Sequence, residues 1–579
     1  MAAIRRPCHG RNLLHGGTQS MLDFLSMRRI PVRLWAMAIL SGVLQVLPFP
    51  IAGPVPLWRT AFCWIALTPL LKALMSDDAT GQPLRVLQGA ALAYSSGFVW
   101  YLGNCYWVYA TMHQYGGIAG PASAGILVLF CLYLGLYHAL FGLLIAAFRR
   151  SRLGLRGALL LSPFAWVAVE LARARVTSFP WDLLATTQVD NPLLTRLAPL
   201  TGAYGISFII VAVNAVWLAR ISVKPRPYIR TLVFSVGVLL AFFYVMTLRY
   251  VQKPIQQGTS AIATLVQQNI EVGAAAASAG PPLTKTQMLQ AFSESSLFPP
   301  DAACYGMPEL PSTRCVGGPA QSPGNPGPTR FAQPTNLIVW PEAPNQFFEI
   351  DKEFRAAMTT LAYTANAPII VGDIGLDQDS EGSRSYYNSA DFITSDGAFA
   401  GRYDKMHLVP FGEYTPYKKL FFFAGSLLQD VGLFEPGTQR KIFRTHGHTY
   451  ATFICYESIF GDEIREFEDM GADVLVNISD DGWYGDTSAA WEHLNMVRMR
   501  AIENHRWVLR STNTGVTASI DPYGRVVAAA PRHIRTSLRV GFDYEHDVTF
   551  YAAHGDLFAY FCALVTSLGL AAKFFFKAA

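Results

Sequence analysis

A cysteine, a lysine and a glutamate, each placed after a predicted β-strand, are the residues of this 579-residue chain best suited to covalent chemistry. Cys455 ends the apolar, β-branched run 449–454 and precedes a predicted helix over 459–470. Lys405 and Glu342 follow two further predicted strands. A thiol nucleophile needs a base to take its proton, and a developing oxyanion needs a positive donor. A carboxylate, a lysine and a cysteine together supply these three roles.

Each of these residues also has an ordinary structural interpretation. Free cysteine is among the most buried residue types, so Cys455 can equally be a small core residue. Glu342 and Lys405 can form a structural ion pair. The placement of Cys455 at a bend, facing the positive end of the following helix dipole, favours a reactive thiolate instead.

The elements that must position these residues lie between residues 251 and 555, where strand and helix patterns alternate. This alternation predicts a layered α/β domain, in which reactive groups gather at strand ends. The predicted strands are 261–267, 336–340, 368–373, 387–393, 397–403, 449–454, 473–478, 507–512 and 517–520. The predicted helices are 352–364, 459–470 and 489–503.

Residues 273–334 interrupt this pattern and predict a flexible insertion. They contain an alanine-rich run and the Pro/Gly-rich stretch 317–328, a composition that is not expected to pack. Cys304 and Cys315 fall within the insertion and can pair in an oxidising compartment. The chain has no CxxC pair and no Cys/His spacing suited to zinc, so we expect neither a metal nor a cofactor.

The composition points to a membrane protein. Hydrophobic residues make up 51% of the chain and charged residues 15%, and the net charge of +5 gives no support to nucleic-acid binding. Eight apolar stretches approach the length of about 20 residues that spans a bilayer. They lie near 34–50, 58–75, 86–109, 120–148, 157–175, 198–219, 231–248 and 557–572.

The loops between these stretches predict the orientation. Lysine and arginine occur in alternate loops, which by the positive-inside rule places the N-terminus in the cytoplasm. We therefore expect a cytoplasmic tail over 1–33, seven transmembrane helices in a membrane domain over 34–250, and an extracytoplasmic domain over 251–553. Residues 554–579 would form the eighth transmembrane helix and a second cytoplasmic tail.

Three segments around the candidate residues resemble motifs of the nitrilase (carbon–nitrogen hydrolase) superfamily. They are Trp340-Pro341-Glu342, the stretch from Lys405 to Pro410-Phe411-Gly412-Glu413-Tyr414, and Cys455-Tyr456-Glu457. The intervals agree as well, since 63 residues separate the glutamate from the lysine and 50 separate the lysine from the cysteine. Within this superfamily the chain is similar to the apolipoprotein N-acyltransferase family. Further matching stretches are 480–486, 498–503, 510–515, 107–109 and 179–181.

The resemblance implies an αββα sandwich on the outer face of a bacterial inner membrane, carried by eight transmembrane helices. It also implies ping-pong acyl transfer by a monomer. Cys455 would attack an acyl ester of a phospholipid, expected to be phosphatidylethanolamine, and form a thioester and a lysophospholipid. The amine of an S-diacylglyceryl cysteine at a lipoprotein N-terminus would then accept the acyl group.

The same resemblance implies roles for single residues. Glu342 would be the general base, and Lys405 would stabilise the oxyanion together with a backbone N–H near Cys455. Glu413 would orient Lys405 or the incoming amine.

Other residues would shape the route of the lipids. Tyr456 and Glu457 would form the acyl pocket or a gating loop, and Trp483, Tyr484 and the aromatic run 421–423 would form a rim facing the membrane. Ordinary core packing is the alternative for these aromatic residues. The family usually has a tryptophan in a mobile arm after the first strand, whereas this chain has none between Gln252 and Val339.

Two other functions remain open at this stage. A membrane-tethered nitrilase-type amidase would use the same three residues and pass the acyl group to water; the eight-span anchor favours a lipid acceptor. A transporter or inactive scaffold is the second alternative, but the apolar stretches show no paired broken helices that would indicate transport.

Overall fold

The computed structural model describes residues 30–222, 226–254, 259–276, 283–299, 334–342, 347–410, 412–414 and 434–575. Apolar helices form the first part of the chain and its C-terminal end, and an α/β sandwich lies between them. The principal helices of the first part are α1 (Val32–Val46), α2 (Thr68–Met75), α3 (Val86–Asn104), α4 (Gly120–Arg150), α5 (Gly154–Val176), α6 (Ala203–Ser222) and α7 (Arg226–Met246). Those of the later part are α8 (Lys285–Leu297), α9 (Lys352–Ala365), α10 (Gly461–Asp469), α11 (Ala489–Asn504), α12 (Phe550–His554) and α13 (Leu557–Phe575).

Three helices among the described residues, α4, α5 and α6, are long and apolar enough to cross a membrane. Two more, α1 and the apolar part of α13, are apolar but shorter. The span predicted over 58–75 is broken into Leu57–Thr60, the 3₁₀ turn Ala61–Trp64 and α2. The chain is thus a membrane protein with several apolar helices, and the count of eight crossings remains a prediction.

Helices α3 and α4 pack closely because glycines face each other where they meet. A Cβ atom on Gly142 would lie 2.3 Å from the carbonyl oxygen of Gly89, so neither position has room for a side chain. Small residues at such a contact let two apolar helices approach closely, which maximises van der Waals packing.

Twelve strands form two six-stranded sheets. The strands are β1 (Ala261–Gln267), β2 (Leu337–Val339), β3 (Ile369–Gln378), β4 (Arg384–Ile393), β5 (Phe399–Asp404), β6 (Ile442–Thr445), β7 (His448–Ile454), β8 (Val474–Ser479), β9 (Val508–Thr512), β10 (Ala518–Ile520), β11 (Val526–Ala529) and β12 (Thr536–Phe542). The strand orders are β12-β1-β2-β3-β4-β5 and β11-β10-β9-β8-β7-β6. Pairing is parallel through β1, β2 and β3 in the first sheet and through β7, β8 and β9 in the second. Within each sheet the carboxyl ends of these strands therefore lie at the same edge.

Alternate side chains of the first sheet enter two different cores. Leu337 and Val339 pack in the cluster shared with the second sheet, whereas Ile338 packs with Phe354 and Met358 of α9. This period of two is expected for strands that are buried on both faces. The two sheets therefore lie face to face with helices outside them, as predicted.

All nine predicted strands are present, with ends shifted by a few residues. The three strands without a predicted counterpart are β6, β11 and β12, and each forms an edge of its sheet. Edge strands contact fewer neighbours, so their apolar pattern is weaker. In β12, for example, Arg539 is exposed between buried Leu538 and Val540.

Part of the range predicted as a flexible insertion is a packed helix. Helix α8 begins with a capping box between Thr284 and Gln287, and its Phe292 is fully buried. The Trp340 indole N–H donates to the Ser296 hydroxyl at 2.9 Å, which fixes α8 against the residue that follows β2. The prediction is wrong for α8, and Cys304 and Cys315 lie outside the described residues.

Candidate active site

Two strand ends and the loop after β5 place a lysine between two carboxylates. Lys405 directly follows β5, and its Nζ lies 3.1 Å from Oε1 of Glu342 and 2.9 Å from Oε1 of Glu413. The lysine side chain is 1% exposed. Burial disfavours the charged form, but the two carboxylates outweigh it and raise the pKa of Lys405 well above its ordinary value. Lys405 is therefore an enclosed cation at neutral pH.

Asn388 on β4 also contacts both carboxylates. Its amide donates to Oε1 of Glu342 at 2.7 Å and to Oε1 of Glu413 at 2.6 Å. The backbone N–H of Asp480 donates to the other oxygen of Glu342 at 2.7 Å. Glu342 is thus held at both oxygens. Asn388 was not predicted as a site residue because a single asparagine in a strand carries no distinguishing pattern.

Cys455 occupies the bend at the end of β7. Its backbone is in the left-handed region, with φ at +48°, and a 3₁₀ turn over Cys455–Ile459 separates it from α10. Burial raises the pKa of the Cys455 thiol well above its ordinary value, the nearby Glu342 charge raises it further, and Lys405 partly opposes both. The expectation of a resting thiolate at a helix terminus is wrong. Because the resting thiol is neutral, its reaction needs a base.

Glu457 lies behind these residues and connects two strand ends. Its Oε1 accepts hydrogen bonds at 2.7 Å from the Tyr403 hydroxyl and from the Met406 backbone N–H, and its Oε2 accepts one at 2.7 Å from the Ile454 N–H. The carboxyl is buried, and burial raises its pKa. Glu457 therefore holds together the segments that carry Lys405 and Cys455. A buried carboxyl fixed by three hydrogen bonds does not match a gating loop.

The remaining predicted residues connect the site to the helical part. The Tyr456 hydroxyl donates to the Ser178 carbonyl oxygen at 3.0 Å, in the loop after α5. Tyr484 is buried with its ring against Trp107 and Trp181, which supports the core interpretation for this residue. Trp483 is 44% exposed and belongs to the surface. The aromatic run 421–423 lies outside the described residues.

Trp483 also contacts the segment that follows β1. A Cβ atom on Gly273 would lie 2.9 Å from the Trp483 ring and 2.3 Å from the Tyr115 carbonyl oxygen. Gly273 has φ at +57°, a conformation that favours glycine. The indole of Trp483, in the turn after β8, therefore lies against the segment in which the family usually has a tryptophan.

Comparison with known proteins gives two family matches. The family described as apolipoprotein N-acyltransferase N-terminal domain matches residues 41–216, and the carbon–nitrogen hydrolase family matches residues 263–542. Among solved structures, an amidase from Nesterenkonia sp. aligns with a TM-score of 0.34 and 15% identity, over 53% of this chain and 99% of the amidase.

Whole-length relatives extend this similarity. The apolipoprotein N-acyltransferase of Geobacter metallireducens is 32% identical over 557 residues, which cover 94% of this chain and 96% of the relative. That of Pasteurella multocida is 29% identical over 570 residues, with 95% and 97% covered. Because the similarity runs through both the helical part and the sandwich, the chain belongs to the apolipoprotein N-acyltransferase family.

Proposed function

We propose that this chain moves an acyl group from a phospholipid to the N-terminal amine of an S-diacylglyceryl cysteine lipoprotein through a thioester on Cys455. The observation that carries the proposal is the buried Lys405 ammonium, 3.1 Å from Glu342 and close enough to Cys455 to oppose in part the rise in the thiol pKa that burial causes. A neutral nucleophile, a base and a fixed cation are the groups that covalent acyl transfer requires.

In the first half-reaction, Glu342 takes the thiol proton while the Cys455 sulfur attacks the ester carbonyl of the phospholipid. The carbonyl oxygen becomes an oxyanion facing the Lys405 ammonium. The C–O bond then breaks, and the leaving lysophospholipid oxygen takes the proton from Glu342. The products of this half-reaction are a thioester on Cys455 and a neutral lysophospholipid.

In the second half-reaction, the lipoprotein amine attacks the thioester carbonyl and gives its proton to Glu342. The C–S bond breaks, the sulfur recovers the proton, and an amide remains on the lipoprotein. Glu413 keeps Lys405 charged and in place through both half-reactions, because its Oε1 lies 2.9 Å from Nζ. The second carboxylate therefore acts through the lysine.

The proposed setting is the inner membrane of a bacterium. The alternation of basic loops supports eight crossings, with a cytoplasmic tail over 1–33, a membrane domain over 34–250 and a catalytic domain over 251–553 on the periplasmic side. The eighth crossing and a short cytoplasmic tail would occupy 554–579. Phosphatidylethanolamine is the proposed donor, and both lipids would reach Cys455 from the bilayer, past exposed Trp483.

The test uses purified chain in vesicles that contain phosphatidylethanolamine with a labelled acyl chain, plus a diacylglyceryl peptide. We expect the label on the peptide amine, and none there with Cys455→Ala. Cys562→Ala is the matched control, since it removes a buried cysteine of α13. Label appearing as free fatty acid, at the same rate with and without peptide, would contradict the proposal and indicate the hydrolase alternative.

A further inference from the structure

A fully buried polar cluster lies directly beneath the Cys455 turn, and the mechanism above does not use it. Its members are His493 of α11, Asp481 after β8, Arg510 of β9 and Ser458 in the 3₁₀ turn, and none of them has any solvent exposure. His493 Nδ1 lies 2.9 Å from Asp481 Oδ1, and its Nε2 lies 2.6 Å from Ser458 Oγ. The same Nε2 lies 3.1 Å from the Cys455 carbonyl oxygen.

The connectivity Ser458–His493–Asp481 is that of a serine hydrolase triad, but its position excludes that chemistry. Ser458 has no exposed surface, so no substrate carbonyl can reach its hydroxyl. The reacting group next to this cluster is the Cys455 thiol, and two contacts link them. The Ser479 hydroxyl, which donates to Asp481 at 2.8 Å, also hydrogen-bonds with the thiol. The member of the cluster that contacts Cys455 itself is His493, and it does so at the backbone carbonyl.

Cys455 is a non-glycine residue held at φ +48°. Such a conformation is strained and persists where the surroundings fix it from several sides. Before Cys455 in the chain, Glu457 accepts a hydrogen bond from the Ile454 N–H. At Cys455 itself, His493 Nε2 lies 3.1 Å from the carbonyl oxygen, so the strained residue has one fixed contact just before it and one at its own carbonyl.

His493 is itself held rigidly. Asp481 accepts hydrogen bonds from Arg510 at 2.6 Å and from the Ser479 hydroxyl at 2.8 Å. Burial opposes ionisation of Asp481, but the Arg510 charge and His493 hold its pKa well below its ordinary value. The Trp181 ring, from the loop after α5, stacks on the imidazole with centroids 5.9 Å apart and planes 25° apart. The helical part of the chain thus also contacts this imidazole.

We infer that His493 is a positioning residue that, oriented by Asp481, fixes the Cys455 carbonyl and thereby aims the thiol at Glu342 and Lys405. This inference rests on the proposed role of Cys455 as the nucleophile. It predicts that the imidazole donates from Nδ1–H to the Asp481 carboxylate and from Nε2–H to the Cys455 carbonyl oxygen, and that the Ser458 hydroxyl is dispensable. An alternative in which the cluster only fills the core predicts no such selectivity.

The test compares His493→Ala, His493→Gln and Ser458→Ala in the full chain. The glutamine amide N–H can replace the imidazole Nε2 at the carbonyl, whereas alanine cannot. We expect His493→Ala to lower kcat about 100-fold with the donor KM unchanged, because a small misplacement of a reacting group has effects of this order. His493→Gln should recover at least tenfold of that loss, and Ser458→Ala should stay within threefold of wild type.

A second readout does not depend on acyl transfer. The rate at which iodoacetamide alkylates Cys455, followed by mass spectrometry, should fall in His493→Ala and recover in His493→Gln. His505→Ala is the matched control, because His505 caps the other end of α11 and contacts Asp547. If the proposed function is wrong, wild type will show no acyl transfer to the peptide, but the alkylation rates of wild type and variants can still be compared.

Three results would overturn the inference. One is His493→Ala with kcat and alkylation rate within threefold of wild type. Another is Ser458→Ala with a loss equal to that of His493→Ala. The third is a His493→Gln variant whose kcat and alkylation rate do not recover although its unfolding temperature equals that of wild type. This third result can be obtained even if the alanine variant fails to fold.

Discussion

Replacing Lys405 by methionine should cost stability as well as activity, because the lysine is the buried cation between two carboxylates. Its side chain is 1% exposed, and Glu342 and Glu413 lie 3.1 and 2.9 Å from Nζ. Removing one partner of a buried ion pair leaves an uncompensated charge and costs about 3–5 kcal/mol. Lys405→Met leaves two such carboxylates side by side, so we expect the upper part of this range.

The double variant Lys405→Met/Glu413→Gln separates charge from packing. It returns the cluster to a single carboxylate, while the glutamine amide stays close to the carboxylate's shape. We therefore expect it to recover about half of the lost free energy of unfolding, although acyl transfer stays absent because the oxyanion donor is missing. If each kcal/mol shifts the unfolding temperature by about 2–4 °C, Lys405→Met should unfold at least 8 °C below wild type.

The assay is thermal unfolding in detergent, followed by tryptophan fluorescence, with phospholipid-to-peptide transfer measured on the same samples. Lys352→Met is the matched control, since Lys352 is an exposed lysine at the start of α9. Unfolding of Lys405→Met within 2 °C of wild type would refute the expected cost of the uncompensated charge. A double variant less stable than Lys405→Met would refute it as well.

Three further predictions concern groups around the site. Asn388→Ala removes donors at 2.7 and 2.6 Å from the two active-site carboxylates and should lower kcat about tenfold or more in the transfer assay; an unchanged kcat would contradict this. Burial raises the pKa of Asp391, which lies beside Asp373, to about 7. In the native chain the Asp391 carboxyl therefore keeps a proton that it releases above about pH 4 in the unfolded chain. Wild-type stability should therefore fall from pH 4 to pH 7, and Asp391→Asn should unfold at a higher temperature than wild type at pH 8; equal unfolding temperatures there would be inconsistent with the shift. Trp181→Phe removes the 2.7 Å bond to Glu492 and should lower the free energy of unfolding by about 1–3 kcal/mol, measured by thermal unfolding, whereas no change would show that this bond is replaceable.

The sequence predicted the parts of the sandwich that are determined by local pattern. The run before Cys455 and the strand before Glu342 are buried on both faces and rich in β-branched or aromatic residues, so their strand state and their ends are readable from neighbouring residues. Glu342 and Lys405 come together because β2 and β5 run in the same direction and end at the same edge of the first sheet. Cys455 belongs to the second sheet, so its approach to them depends on how the two sheets pack. Edge strands such as β6 were missed because half of their side chains face outward and resemble loop residues.

Contacts distant in sequence explain the rest. His493 reaches the Cys455 carbonyl across 38 residues, and nothing in its own segment marks it as different from a core histidine. The protonation of Cys455 depends on burial, which outweighs the expected helix dipole because a 3₁₀ turn intervenes before α10. Helix α8 was not predicted because low-complexity sequence flanks it on both sides, although its capping box and its buried Phe292 are ordinary helix features.

The most direct test of the account is to locate the acyl group on the protein itself. Purified chain is incubated with phosphatidylethanolamine alone, digested, and analysed by mass spectrometry for the peptide that contains Cys455. The account predicts one acyl chain on Cys455, removable by hydroxylamine and transferred to a diacylglyceryl peptide when that peptide is added. An acyl group on another residue, or transfer to the peptide by the Cys455→Ala variant, would contradict it.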